Sequence, residues 1–422
     1  MNKMKKLISI GAVVLVVALL LTLAPACGKE KEVTPTPGGT PTPGVTPTPT
    51  PEVKTLKIGA LCALSGPAAP WGSAHELGIK WAAEDINAAG GLKVGPDTYM
   101  LKVVSCDAKY IGSVAAECAT RFIHVEKAKY VFGGIGTTRA TVPIFTEAKV
   151  INIGLGTGPP VSPEWPYYLN GNMDPFYWLD SWVQLCSQQH PEWKTLALIN
   201  PNAEGGYAWA DAQKVAAPKY GQTVVADEYY EYGTVDFYPV LTPIVAKNPD
   251  AISLGAAPAG EGTMMTKQLR ELGYTGWIQH PAPIPVPLMK ASMPTEYLYN
   301  IATEEEDFSS PVFAQSVRDL HARWLELYAK PGETMNTCTV HGYGHVMTIA
   351  AAIEQAGSID VDEVLKVFDD PDFRFNRTYV ENAKMGGLEA YGIRRQIPTF
   401  QSYSEIQDGV LTIISGRVID AP

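Results

Sequence analysis

Positive charge is scarce in this chain. Thirty-three Lys and Arg stand against 44 Asp and Glu in 422 residues, a formal net charge of −11 at pH 7. No broad basic face is available to meet a nucleic-acid backbone or an anionic lipid surface, so a nucleic-acid partner is excluded. Charge of either sign is sparse, at 18% of residues, which excludes a coiled coil. Catalytic signatures are missing too: there is no Gly-x-Ser-x-Gly elbow, no Gly-x-x-x-x-Gly-Lys-Ser/Thr phosphate loop, no Gly-x-Gly-x-x-Gly after the first strand pattern and no His-Glu-x-x-His. No nucleophile and base can be named for an envelope hydrolase, and neither enzyme activity nor a cofactor is expected. His341 and His345 are spaced i, i+4, but no tetrahedral ligand set is completed around them, so they read as helix-lining residues and no metal is expected. The acidic run Glu304-Glu-Glu-Asp, ahead of Pro311, reads as a solvated loop.

Cysteine is limited to six residues. Cys27 stands apart from Cys62, Cys106, Cys118, Cys186 and Cys338, an odd set that does not give its own pairing. Cys62 and Cys106 close neighbouring strand patterns and form one candidate pair, with buried free thiols as the alternative.

What is abundant is apolar and aromatic material. Hydrophobic residues make up 46% of the chain, with 20 Tyr and 9 Trp, enough for a large core and, at this length, for two domains. Lys3, Lys5 and Lys6 precede an uncharged apolar run over 7–24 and then Ala-Pro-Ala-Cys at 24–27. That order predicts a signal peptide over 1–26, removed on export. Small residues followed by Cys27 resemble a bacterial lipobox and imply a lipid on that thiol, although Ala24 stands where the common pattern has Leu. The 18-residue run is also long enough for an uncleaved anchor. Residues 33–54 follow as a Thr/Pro run with seven Pro, which favours extended polyproline II and predicts a tether over 27–54. Folding is expected to begin near Thr55.

From there strand and helix patterns alternate. Strands are expected over 56–64, 99–105, 130–132 and 150–153, with helices over 74–86, 113–125 and 141–147 between them. A second series runs through helix 176–188, strand 195–199, helix 207–217, strand 223–229, helix 237–246, strand 251–254, helix 262–272 and strand 277–278. Parallel neighbours need a long crossover, so two such series predict an α/β fold with two parallel sheets flanked by helices. Ligands bind outside the carboxyl ends of such strands. The loops there are rich in small residues: Cys62-Ala-Leu-Ser-Gly-Pro, Gly133-Gly-Ile-Gly-Thr-Thr and Gly154-Leu-Gly-Thr-Gly-Pro-Pro. They allow close backbone approach, and the helix starts after them favour an anion such as a carboxylate.

Ile58-Gly-Ala-Leu-Cys-Ala-Leu-Ser-Gly-Pro-Ala-Ala-Pro-Trp-Gly, then Gly78 and Ala83-Glu-Asp-Ile-Asn-Ala-Ala-Gly-Gly, resemble the leucine/isoleucine/valine-binding proteins of ABC transporters. Similarity continues through Asp107, Tyr130-Val-Phe-Gly-Gly, Gly206-Tyr207 and the segment Ala351 to Ser358. The resemblance implies a two-lobed clamshell of the type I periplasmic binding protein class, with lobes at 55–171 plus 304–391 and 172–303 plus 392–422. It implies a carboxylate held by Gly136, Thr137 and Thr138, with Ser65 and Trp71 in the first loop and Gly156, Thr157 and Gly158 in the fourth. The family's tyrosine falls near Ala257 and its ammonium-binding carboxylate at His280-Pro281, with Tyr207 and Trp209 across the cleft and Glu204 or Glu261 within reach of a small shift in alignment. A buried ammonium lacking a carboxylate costs several kcal/mol, so acids without an α-amino group are expected to bind best. The family's usual disulfide positions carry Tyr110 and Gly136. The implied function is an extracytoplasmic lipoprotein that delivers a carboxylate-bearing solute to a membrane permease. A sensor feeding a chemoreceptor, kinase or regulator is the alternative.

Overall fold

The computed structural model describes residues 52–421 apart from 67, 157, 173, 305, 306 and 332. The expected signal peptide, Cys27 and nearly all of the expected tether lie outside the described residues. The first series comprises β1 (Val53–Cys62), α1 (Ala69–Ala88), β2 (Leu92–Val94), β3 (Asp97–Asp107), α2 (Gly112–Arg121), β4 (Tyr130–Gly133), α3 (Thr138–Glu147), β5 (Ile151–Gly154) and β6 (Tyr168–Asn170). The first strand thus begins two residues before Thr55, because Val53 and Lys54 already pair with Thr98 and Tyr99. The second series comprises α4 (Pro175–Gln189), β7 (Thr195–Pro201), α5 (Glu204–Lys219), β8 (Thr223–Tyr230), α6 (Tyr238–Val245), β9 (Ala251–Ser253), α7 (Ala259–Glu271), β10 (Trp277–His280), α8 (Val286–Ser292) and β11 (Ile301–Thr303). The remainder supplies α9 (Gln315–Leu327), α10 (Thr337–Ala356), α11 (Val361–Asp369), β12 (Phe375–Arg377), β13 (Val380–Ala383), α12 (Leu388–Tyr391), β14 (Thr399–Gln407) and β15 (Val410–Ile419).

Two sheets organise the lobes. One has the order β2-β3-β1-β4-β5-β6, the other β15-β14-β11-β10-β9-β7-β8. Their centres are parallel, but each carries antiparallel strands at an edge: β2 on β3, and β14 with β15 beside β11. The β14–β15 hairpin turns at Asp408-Gly409, both at positive φ (52° and 72°), the conformation that twist-matched two-residue turns require. The chain passes from one lobe to the other three times: between β6 and α4, between β11 and α9, and between α12 and β14.

The first lobe is covered by α1 and α10, packed at very short range. A Cβ on Gly78 would lie 2.1 Å from the Thr339 carbonyl oxygen, and one on Gly342 would lie 2.3 Å from the His75 carbonyl oxygen. No side chain fits at either crossing point, and the close approach brings His75 of α1 against His345 of α10. Asn336 accepts the Cys338 N–H to start α10, and Gly357 at φ +60° ends it. Asp174 caps α4 ahead of Pro175 in the same manner.

The disulfide joins Cys106 at the end of β3 to Cys118 on α2. Cys62 therefore does not pair with Cys106, contrary to the expectation for that candidate pair. The Cys62 side chain turns to the core side and sits 3.7 Å from His75 Nδ1, whereas Cys106 belongs to the cluster on the opposite face with Cys118. Cys62, Cys186 and Cys338 are buried and take part in no disulfide.

Candidate functional site

A cavity of about 140 Å³ lies between the two lobes. An apolar cavity of about 150 Å³ holds one benzene ring, which sets the scale of what fits. Trp71 and Tyr110 wall it from the first lobe, and Trp178, Trp209 and Tyr232 from the second. Polar side chains in the wall are few: Asn172, Glu304, Thr337, Cys338 and His341. Trp71 is in the first turn of α1, Pro175 opens α4, Gly205 is the second residue of α5, and Thr337 and Cys338 open α10. Four long helices thus begin at the cavity; Asp174 and Asn336 cap two of them, and the positive dipole ends of the four favour a ligand with a negative end. A second groove of about 260 Å³ shares Trp71, Pro283 and Thr337 with it, so Trp71 stands between the two spaces.

Tyr110 reaches the cavity through an unusual turn. Lys109 and Tyr110 both have positive φ (53° and 62°), a conformation that costs L-residues about 1–2 kcal/mol each. Asp107 holds the turn by accepting the Leu64 N–H at 2.8 Å, the Ser65 hydroxyl at 2.6 Å and the Lys109 N–H at 2.9 Å. The Tyr110 ring then meets Tyr232 of the other lobe edge to face, with centroids 6.4 Å apart. Burial, then the neighbouring Tyr110, pushes the Tyr232 phenol far up, so it stays protonated. Gly136, at φ +66°, makes room for this: a Cβ there would lie 2.2 Å from Tyr110 Cε2.

Of the residues expected at the site, Trp71, Gly156 and Trp209 line the cavity. Ser65 does not; its hydroxyl is committed to Asp107. Thr138 donates its hydroxyl to the Gly134 carbonyl at 2.7 Å. Thr137 is 3% exposed, and its hydroxyl is buried with no hydrogen-bond partner. The loop's contribution to the wall is Ile135. Gly158 packs against Tyr168, where a Cβ would lie 2.4 Å from the hydroxyl, and Thr157 lies outside the described residues. Tyr207 is 45% exposed and bonds Asn202, away from the cavity. Ala257 belongs to the second-lobe core, and its neighbour Ala256 lines the cavity instead. His280 is buried behind Thr266, whose hydroxyl donates to the Gly262 carbonyl and so accepts from His280 Nε2 at 2.9 Å. The adjacent Pro281 is in the wall. Glu261 accepts the Gly233 N–H at 2.8 Å and is outside the wall; the Glu204 side chain is outside the described residues.

Two wall residues come from segments read as something else. Glu304 is 4% exposed rather than solvated, because it directly follows β11 and points between the lobes, where Gln401 donates to its carboxylate. His341 is a wall residue as well as a buried helix residue. Among the described residues no cluster of three metal-ligating side chains occurs.

Behind the wall a buried hydrogen-bond chain runs through the first lobe. His345 Nε2 is 2.9 Å from the Gly171 carbonyl, which only accepts; Arg377 Nη2 lies 3.2 Å away, but its two hydrogens go to the Gly171 carbonyl and His341 Nδ1, so Nε2 carries the proton. His345 Nδ1 then accepts from His75 Nε2 at 3.2 Å, and His75 Nδ1 faces the Cys62 thiol. Burial, helped by the Arg377 charge, lowers His75 to about 3 and holds His345 well below the ordinary range, so both rings are neutral.

The sequence profile described as periplasmic binding protein matches residues 55–379. The chain is 24% identical over 323 residues to a Leu/Ile/Val-binding protein homolog of Brucella melitensis, covering 72% of this chain and 80% of the relative. Among solved structures it resembles the branched-chain amino acid transporter substrate-binding protein LivJ of Streptococcus pneumoniae in complex with isoleucine, at a TM-score of 0.72 and 21% identity, covering 87% of this chain and 99% of that one. It also resembles an ABC transporter solute-binding protein of Rhodopseudomonas palustris in complex with 4-hydroxybenzoate, at a TM-score of 0.69 and 21% identity, covering 87% and 98%. These likenesses establish the two-lobed α/β fold.

Proposed function

Because this chain belongs to the periplasmic binding protein family, whose members capture small molecules for ABC transporters outside the cytoplasm, we propose that it seats a compact carboxylate-bearing solute, an amino acid or an aromatic or branched acid, and presents it to a membrane permease. The observation that carries this reading is the interlobe cavity, of one-ring size, with aromatic walls and four helix starts around it. The aromatic side chains take the body of the solute; the helix starts at the cavity take its carboxylate. Glu304 supplies an acceptor for a hydroxyl or ammonium at the other end, so the case against an α-amino group, which rested on a missing carboxylate, loses its premise. Lobe closure and release supply the mechanism without any chemical step. Among the described residues no helix is long and apolar enough to cross a membrane, and the reading includes a lipid on Cys27 as the anchor.

Native mass spectrometry of the purified protein, then thermal-shift and calorimetric titration with isoleucine and 4-hydroxybenzoate, tests the reading. At least one is expected to raise the melting temperature. Glu304→Gln is expected to weaken isoleucine tenfold or more, since it removes an ammonium partner, and to weaken 4-hydroxybenzoate less. A cavity that binds neither probe nor any copurifying acid refutes the proposal. For the anchor, Cys27→Ala is expected to abolish labelling by a fatty-acid probe; equal labelling of both forms removes the lipid from the account.

A further inference from the structure

His341 lines the cavity from α10, and Arg377 of β12 approaches it from behind. Arg377 Nη2 lies 2.7 Å from His341 Nδ1. A guanidinium only donates, so Nδ1 is the acceptor, and a neutral imidazole that accepts at Nδ1 carries its proton on Nε2. The same guanidinium donates through Nη1 to the Pro398 carbonyl at 2.5 Å and through Nη2 to the Gly171 carbonyl. Gly171 begins the passage from β6 to α4, and Pro398 ends the passage from α12 into β14. One fully buried side chain therefore holds a cavity-wall residue and two of the three connections between the lobes.

We propose that His341 binds the solute by offering a fixed Nε2–H donor to one of its acceptor oxygens, and that Arg377 is the positioning residue that sets this tautomer and ties the cavity wall to the interlobe connections. The inference rests on the solute-binding reading of the cavity. The groups facing the His341 ring are Arg377, His345, His75 and Tyr379, with Glu304 and Cys338 also in the wall. Burial, then the Arg377 charge, holds His341 well below the ordinary histidine range, which agrees with a neutral donor. Occupancy felt at His341 reaches Gly171 and Pro398 through a single guanidinium, so cavity filling and lobe movement share a physical link.

Two measurements on the whole protein test this. Nitrogen-15 spectra of labelled histidines, assigned with His341→Gln, are expected to show His341 as the Nε2–H tautomer, unchanged from pH 5.5 to 8 and without any added solute. A ring that titrates in that range, or one protonated on Nδ1, overturns the proposal even if no solute has been found. Calorimetry with isoleucine and 4-hydroxybenzoate is expected to show at least a tenfold loss for His341→Leu and a loss within threefold for His341→Gln, which keeps a donor at that reach. Equal losses in the two variants mean that the residue only fills space and overturn the donor role. Arg377→Lys is expected to fold, bind more weakly and lose the solute-induced compaction seen by small-angle scattering; unchanged compaction overturns the link to the interlobe connections. Failure of the solute-binding reading is distinguishable, because wild type would then bind neither probe while the tautomer result still stands.

Discussion

Acidification from pH 7 to pH 5 is expected to destabilise this protein sharply, through histidine rather than carboxylate. His75 and His280 are held at about 3, and His341 and His345 well below the ordinary value, in each case by burial first and then by a buried guanidinium. In the unfolded chain each titrates near ~6.5. Above that value both states are neutral and nothing is lost. As pH falls below it, the unfolded chain takes up protons that the folded chain refuses, so stability drops by up to about 1.4 kcal/mol per pH unit per histidine. Integrated from pH 7 to 5, each contributes about 2 kcal/mol, and four together about 8 kcal/mol, a large share of a typical ~5–15 kcal/mol total. Carboxylates such as Asp85 and Asp107, held low by their partners, lose their contribution only below about pH 4, outside this window. Urea unfolding followed by tryptophan fluorescence at half-unit pH steps measures the slope. His280→Gln, which removes one of the four at a distance from the other three, is expected to reduce the loss by about 2 kcal/mol. A total change below about 2 kcal/mol between pH 7 and 5 refutes the reasoning.

Two other substitutions probe the cavity and its scaffold. Gly136→Ala puts a methyl 2.2 Å from the Tyr110 ring at a φ of +66°, so Tyr110 must leave its place opposite Tyr232; calorimetry is expected to show a tenfold or greater loss of solute affinity, and unchanged affinity would separate Tyr110 from the site. Cys118→Ser opens a loop of 12 residues and is expected to cost about 3 kcal/mol by urea unfolding, because the reduced denatured chain regains that freedom; a variant as stable as the disulfide form would contradict this.

Periodicity made the βα alternation legible because the central strands are buried on both faces and read as continuous apolar runs. β1 is such a strand, with Ala60, Leu61 and Cys62 all buried. The edge strands were not read, although Asp408-Gly409 is a strong local hairpin signal, because the strands beside it alternate only weakly: β14 is buried almost throughout, whereas β15 is mostly exposed or half-buried. The site was legible at the level of loops and blurred at the level of side chains. Trp71 and Gly156 reach the cavity, yet the Thr138 hydroxyl is taken by the Gly134 carbonyl of its own loop and the Ser65 hydroxyl by Asp107 at the end of the neighbouring strand β3, a partner that its own segment does not reveal. On the second lobe, Ala256 and Pro281 stand where Ala257 and His280 were expected, a displacement of one residue, which in a segment leaving a strand exchanges the cavity side for the core side. Glu304 and His341 carried no signal in their own segments. An acidic run ahead of a proline looks solvated, and a histidine on an apolar helix looks structural; what turns each toward the solute space is the arrangement of the interlobe connections, which follows β11 in one case and fastens Gly171 and Pro398 to Arg377 in the other. Those connections are formed by residues far apart in the chain, so the polar character of this cavity is set by tertiary geometry while its aromatic character is set by local sequence.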